Sequence, residues 1–188
     1  LQMLKSSFLN QRFELQDRIR ESYPCQIEIL QTQINNYQHD IALRNRNSGQ
    51  EFPGMKIGDQ FIFDKAKAGE ALMAAYVQCT GEKPVVIGEY RSFPMECRFD
   101  MLRRDYVLSL VGNERYDLSL GTDKYGAITR LNNALDHIDK LLSDSQSDLE
   151  SVQQQLARAK EEVKKPFEKE EELQTKQKRL IQLTCELQ

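Results

Sequence analysis

The chain has 188 residues, 39% of them apolar, with 26 basic and 29 acidic side chains and a net charge of −3. That near-balance gives no global field to draw the chain onto a nucleic-acid backbone or an anionic membrane, so any such contact has to be a local patch. A mean hydropathy of −0.64 suits a small domain with an extended helical appendage better than one large core.

Leu1, Leu4, Phe8, Leu15 and Ile19 keep a helical period as far as Glu21. Ser22-Tyr23-Pro24 then reads as a fresh N-cap with proline in the first turn, so a break is expected there. Ile27, Leu30, Ile34, Tyr37 and Ile41 follow at alternating spacings of three and four, a second amphipathic helix. Residues 1–48 thus form an N-terminal helical arm. Asn45 to Gly54, rich in Asn, Ser and Gly and holding Pro53, reads as a linker.

Residues 55–124 carry a different pattern. Phe61-Ile62-Phe63 predicts a short strand and Lys65 to Cys79 a helix, ended near Gly81 before Pro84 resets the chain. Val85 to Phe93, Met95 to Asp100, Tyr106 to Val111 and Arg115 to Leu120 are rich in β-branched and aromatic residues. Turn formers at Pro94, Asp105 and Gly112-Asn113 separate them, which predicts an antiparallel β-meander. With the one helix on its face, the meander makes an α+β core of roughly 75 residues, small but sufficient. Gly88, Gly112 and Gly121 fall at strand starts or turns, where a positive φ or a bulge accounts for them.

From 125 to 188 the signal is a heptad. Ile128, Leu135, Leu142, Leu149, Leu156 and Val163 recur every seven residues, with Leu131, Ile138, Val152 and Ala159 at the companion spacing. The companion phase passes Pro166 to Leu173, Leu180 and Leu187, while the other weakens to Glu170 and Gln177. Pro166 removes a backbone donor, so a kink or short break is expected near Lys165. An uninterrupted helix of this length would extend roughly 90 Å and could not bury its stripe alone. The fold expected is therefore α+β, with the small meander inserted between long N- and C-terminal helices that form an antiparallel coiled coil. The heptads can pair within one chain or between two chains as a homodimer. A start at Leu1 and an end within a helical pattern suggest a piece of a longer polypeptide.

Motifs for chemistry are sparse. There is no GxxxxGK[ST] to cradle phosphates, no GxGxxG, no HExxH and no GxSxG, and no cofactor or metal is expected. Cys25, Cys79, Cys97 and Cys185 have no zinc-ligand spacing and read as reduced thiols. His39 and His137 stand alone on helix faces, and Glu170-Glu171-Glu172 fan around a helix rather than converge on one ion. No apolar run approaches the roughly 18 residues that span a bilayer, which with the thiols predicts a cytoplasmic protein with no membrane partner. Arg91, Arg98, Arg103, Arg104 and Arg115 lie beside Tyr90, Phe93, Phe99, Tyr106 and Tyr116, residue types that hold phosphates and stack on bases. Lys164-Lys165, Lys176, Lys178 and Arg179 read as coiled-coil flanks.

Three stretches carry a family likeness: Gly88-Glu89-Tyr90-Arg91-Ser92-Phe93; Tyr116 through Leu120-Gly121; and Gly126-Ala127-Ile128-Thr129-Arg130-Leu131-Asn132-Asn133-Ala134-Leu135. With Lys165-Pro166-Phe167-Glu168, Glu171-Glu172-Leu173 and Arg179-Leu180 onward, they resemble the C-terminal region of very large proteins of bacterial conjugative and integrative mobile elements. In those proteins Swi/Snf-like helicase motifs, often with an adenine-specific DNA methylase part, precede such a segment. Ser92 stands where a second glycine-like residue is expected, and Thr184-Cys185 replaces a more polar pair. The helicase and methylase motifs are absent from this chain, so the resemblance implies a non-catalytic accessory module of a DNA-processing parent, whose partners would be DNA and the parent's other domains. If the sheet binds DNA, Arg91, Arg103, Arg104 and Arg130 contact phosphates and Tyr90 stacks on a base; the alternative is a purely structural module that oligomerises or docks the parent's domains without nucleic acid. On either reading the heptads make Ile128, Leu131, Leu135, Ile138, Leu142, Leu149, Val152 and Leu156 the coiled-coil seam.

Overall fold

The computed structural model describes residues 1–46 and 49–186; Leu187 of the expected heptads and Asn47 and Ser48 of the expected linker lie outside the described residues. The chain is α+β, with a six-stranded antiparallel sheet and long helices toward both ends. It divides into two compact units, Gln31–Ser147 and Leu1–Leu30 with Asp148–Gln188. Both divisions fall inside helices rather than at the Asn45–Gly54 linker.

In the first unit the strands are β1 (Met55–Ile57), β2 (Gln60–Ile62), β3 (Val85–Tyr90), β4 (Phe93–Asp100), β5 (Asp105–Val111) and β6 (Arg115–Leu118), in the spatial order β2-β1-β3-β4-β5-β6. The meander is present, and the β1–β2 hairpin extends it through β1 on β3. The short strand expected at Phe61–Phe63 is present one residue earlier as β2, whereas β1, three residues with no period of its own, is signalled only by Gly58, at φ 55 in the turn between them.

The expected turn at Pro94 lies two residues earlier. Arg91 and Ser92, at φ 49 and 69, make the two-residue connection from Tyr90 to Phe93. Two left-handed residues in succession give the turn whose twist matches the flanking strands, and the value at Ser92 explains why a glycine-like residue is expected there. Pro94 sits inside β4 opposite Glu89, next to the closing pair Tyr90 and Phe93, and pairing with β5 begins only at Met95. Its missing N–H therefore removes no ladder bond. Gly88 adjoins a register shift, and a Cβ there would collide with the Lys56 carbonyl of β1.

Strand alternation sends Tyr90, Phe93, Met95, Cys97, Leu108, Leu110 and Tyr116 to one buried face. Over it pack α3 (Lys65–Val77), the last part of α2 (Tyr23–Asn45) and the first part of α4 (Lys124–Glu162). Asp64 caps α3 by accepting from the Lys67 N–H at 2.8 Å, and Gly69 lets α3 approach α4, since a Cβ there would lie 2.7 Å from the Lys124 carbonyl. Asp123 starts α4 by accepting from the Tyr125 and Gly126 amides at 3.0 and 2.9 Å. Ile128, Leu131, Leu135 and Ile138 are buried in this sheet core, so the first heptads of the stripe serve the sheet unit. A side chain of this size buried fully contributes about 1.5–3 kcal/mol.

In the second unit α1 (Gln2–Asp17) runs into α2 without the expected break, through a π-helical turn at Arg18–Ser22. A helical proline crowds the carbonyl four residues back and lacks a donor, and the widened turn just before Pro24 accommodates both. The extra residue also keeps the stripe aligned: Leu15, Ile19, Tyr23 and Ile27, each four apart, are all half-buried. At Pro166 the helix breaks outright, α4 ending at Glu162 and α5 (Glu170–Glu186) beginning after an irregular stretch. Phe167 turns to Phe8, ring centroids 5.4 Å apart, and Lys5 pairs with Glu170 at 2.7 Å. Leu149, Val152 and Leu156 are half-buried and Ala159 and Leu173 buried, whereas Leu180, Ile181 and Leu183 are exposed. Among the described residues no helix is long and apolar enough to cross a membrane.

Candidate functional site

Consecutive strand residues point to opposite faces, and this separates the arginines of the sheet from its aromatics. Phe93, Phe99, Tyr106 and Tyr116 turn toward the helices, with Phe99 edge-on to Tyr106 and Phe93 edge-on to Tyr116. Arg98 and Arg115 point the other way. There they form a charge-balanced lattice: Arg115 pairs with Glu96 at 2.6 Å, Arg98 lies 3.4 Å from Asp117 and 3.7 Å from Asp100, and Ser109 donates to Asp117 at 2.6 Å. An open face whose cations are matched by carboxylates lacks the surplus charge that backbone binding needs.

The five residues tied to DNA contact are not brought together. Tyr90 is fully buried, stacked on Phe52 with its hydroxyl donating to Asn132 Oδ1 at 2.8 Å, so it presents no face to a base. Arg91 lies across the Tyr90 ring and donates to the carbonyls of Gln50 and Glu51 at 3.2 and 3.1 Å. Arg130 donates to the Leu120 carbonyl at 2.7 Å and packs on Gly121, which sits at φ 64. Arg91 precedes β4 while Arg103 and Arg104 follow it, so the eight residues of that strand, about 26 Å of extended chain, separate them.

Arg103 and Arg104 belong to the tip joining β4 to β5, residues 101–104, beyond the last pair Asp100 and Asp105. The tip is preformed. Asp100 Oδ1 accepts from the backbone N–H groups of Leu102 and Arg103 at 3.0 and 3.1 Å, and Arg104 adopts φ 52. The backbone bond from Arg103, with that from Leu102 and the Arg103 and Arg98 guanidiniums, holds the Asp100 carboxyl below its ordinary value. Asp105 is likewise occupied, accepting from the Tyr106 amide at 2.8 Å and the Ser119 hydroxyl at 3.2 Å. Outward stand Arg103, its side chain 80% exposed, with Met101 at 63% and Leu102 at 98%. Met101 and Leu102 escape the sequence reading because a single apolar pair between strands carries no period; their exposure is visible only once the hairpin is formed.

Two further clusters are invisible in sequence. Asp40, fully buried on α2, accepts from Asn113 N at 2.7 Å, Asn113 Nδ2 at 3.2 Å, Glu114 N at 3.0 Å and the Tyr116 hydroxyl at 2.6 Å. It grips the β5–β6 turn, and Gly112 is required there because a Cβ would lie 2.5 Å from Asp40 Oδ1. Burial, then the bond to Asp40, raises the Tyr116 phenol well above its ordinary value. Cys79 and Cys97 are neighbours, their thiols on the adjacent carbonyls of Ala75 and Tyr76 at 3.5 and 3.6 Å, and burial pushes the Cys97 thiol up. The Cys97 bond ties β4 to the end of α3, while that of Cys79 closes the helix end itself. His39 and His137 are exposed, and Glu170 and Glu172 pair with Lys5 and Lys176. Among the described residues no three His, Cys, Asp or Glu side chains are placed to hold a metal ion.

Comparison of the chain with protein-family models, with curated proteins and with solved structures finds no match.

Proposed function

We propose that the chain is a non-catalytic accessory module of a DNA-processing protein, of the mobile-element helicase and methylase kind its sequence resembles. The sheet unit touches DNA through the β4–β5 tip rather than through a sheet face. The observation that carries this is the disposition of cations: Arg98, Arg115 and Arg130 are held closely by the fold, whereas Arg103, 80% exposed and in only a long 3.9 Å pairing with Asp100, projects from a preformed turn beside the exposed Arg104. A guanidinium matches a phosphate through two parallel N–H bonds. The helical unit is its spacer, an antiparallel coiled coil within one chain. In support, Leu30 shares a hollow with Val152, Phe8 meets Phe167 and Lys5 meets Glu170, so the two partners run in opposite directions.

The test is fluorescence anisotropy of the full chain with labelled duplex DNA over a salt series. Binding is expected to weaken as salt rises, and R103A/R104A to weaken it further while lowering the log–log salt slope by about 2, roughly one per lost phosphate contact. Unchanged affinity in that variant removes the assignment. A second reading, a structural module that dimerises through its helices, is favoured by the exposed stripe Leu180, Ile181 and Leu183 on α5. It requires a dimeric mass by light scattering that falls to monomer in L183E, and no DNA binding.

A further inference from the structure

We infer that the β4–β5 tip is a wedge: Leu102, backed by Met101, enters between adjacent base pairs of duplex DNA while Arg103 and Arg104 hold the flanking phosphates. The inference rests on the DNA-contact reading above and adds a mode of recognition to it. Leu102 is 98% and Met101 63% exposed at the end of a hairpin, where a chain choosing only for solubility would place polar residues. Neither side chain packs into the core beneath, so the fold does not account for them. The loop is held in one shape before any partner arrives, by the two backbone bonds to Asp100 and by the left-handed Arg104. Preorganisation of this kind lowers the ordering cost of insertion.

The chemistry matches what inserted side chains do. Leu and Met are among the apolar residues that part a base step, and arginines beside them secure the backbone that the kink brings closer. The apolar portion is two side chains wide, the scale of one step, whereas lipid docking uses a broad apolar face on an amphipathic helix. Of the two carboxylates that flank the tip, Asp100 is only 18% exposed, accepts from the turn's own amides and lies 3.7 Å from Arg98 and 3.9 Å from Arg103, while Asp105 accepts from Tyr106 and Ser119. A phosphate therefore competes with Asp100 for Arg103 and meets Arg104 directly. Steps that unstack readily, TA and CA/TG, are the expected sites, because the wedge has no donor or acceptor with which to read base edges.

The experiment uses the full chain and a duplex carrying 2-aminopurine beside a central TA step, read for fluorescence and anisotropy together. Wild-type chain is expected to raise the fluorescence as the reporter base loses its stacking neighbour. M101S/L102S is expected to lose that rise yet retain salt-dependent anisotropy, and its melting temperature should match the parent because both side chains are exposed. R103A/R104A should weaken the binding that the anisotropy reads. Saturable, arginine-dependent anisotropy with no fluorescence change overturns the wedge and leaves the DNA-contact reading standing. Absence of saturable anisotropy with the wild-type chain overturns both. Co-sedimentation with phosphatidylserine vesicles that M101S/L102S abolishes, without DNA binding, also overturns the wedge and assigns the tip to a lipid surface.

Discussion

Replacing Asp40 tests how the sheet unit is held to its helix. In D40A the Tyr116 hydroxyl and the Glu114 amide lose their acceptor in a buried or half-buried setting. Each stranded donor costs about 1–3 kcal/mol, while Asn113, which is exposed, recovers water. The sum, about 2–6 kcal/mol, is a large part of the 5–15 kcal/mol that keeps a domain folded. D40N keeps the shape but turns an N–H toward an N–H on one side, costing about 1–3 kcal/mol. Urea denaturation with a slope of about 2 kcal/mol/M, typical of small domains, should show D40A unfolding roughly 1–3 M earlier. Hydrogen exchange should speed selectively at the amides of Asn113 and Glu114. A double-mutant cycle with Y116F should give a coupling of about 1.5–3 kcal/mol for a bond to a charged acceptor. A D40A midpoint equal to the parent's, with those two amides still protected, would refute the role given to this carboxylate.

S92G should stabilise the sheet unit by about 0.5–1 kcal/mol, because the left-handed turn costs an L-residue roughly 1–2 kcal/mol and glycine's extra unfolded freedom takes back about half; a lower melting temperature would show that the Ser92 side chain outweighs its backbone. Tyr116, Tyr76 and Tyr37 are raised above 10.0, each chiefly by burial. The unfolded chain therefore releases these protons first as pH climbs through 10, so stability should hold up to about pH 10 and fall beyond it, with Y116F flattening the fall. Of the four thiols, Cys25 and Cys185 are exposed and Cys79 and Cys97 buried, so a thiol reagent should titrate two quickly under native conditions and all four in urea.

The elements with a period of their own were legible. The heptads give α4 and α5, the three-and-four spacing gives α2, and β-branched runs give β3 to β6, because each buries one face and must repeat to do so. Where burial is shared among elements, the pattern misleads. The stripe from Ile128 to Ile138 has the spacing of a helix pair, yet a sheet face covers it equally well. Ser22-Tyr23-Pro24 has the signature of a new helix start and Pro94 that of a turn, whereas a π turn absorbs the first proline and a strand's opening position tolerates the second. In the candidate site the arginines were visible as residues but not as a set, since alternation and turn position decide which way each points.

Within the sheet unit, the stretches singled out for the resemblance are consumed by the fold. Gly88 makes room for the β1 backbone, Ser92 completes a left-handed turn, Gly121 is left-handed, a Cβ on Gly126 would lie 2.8 Å from the Asp123 carboxylate, Arg130 holds the Leu120 carbonyl and Asn132 accepts from Tyr90. Side chains so occupied specify an architecture and have little left to offer a partner. Met101 to Arg104 fall outside all of those stretches, and their apolar and cationic atoms face solvent. The division has a consequence for experiment: substitutions in those sheet-unit stretches should act on stability, and substitutions in the tip on binding at unchanged stability. A chain in which S92G altered DNA affinity while M101S/L102S altered only the melting temperature would reverse that division.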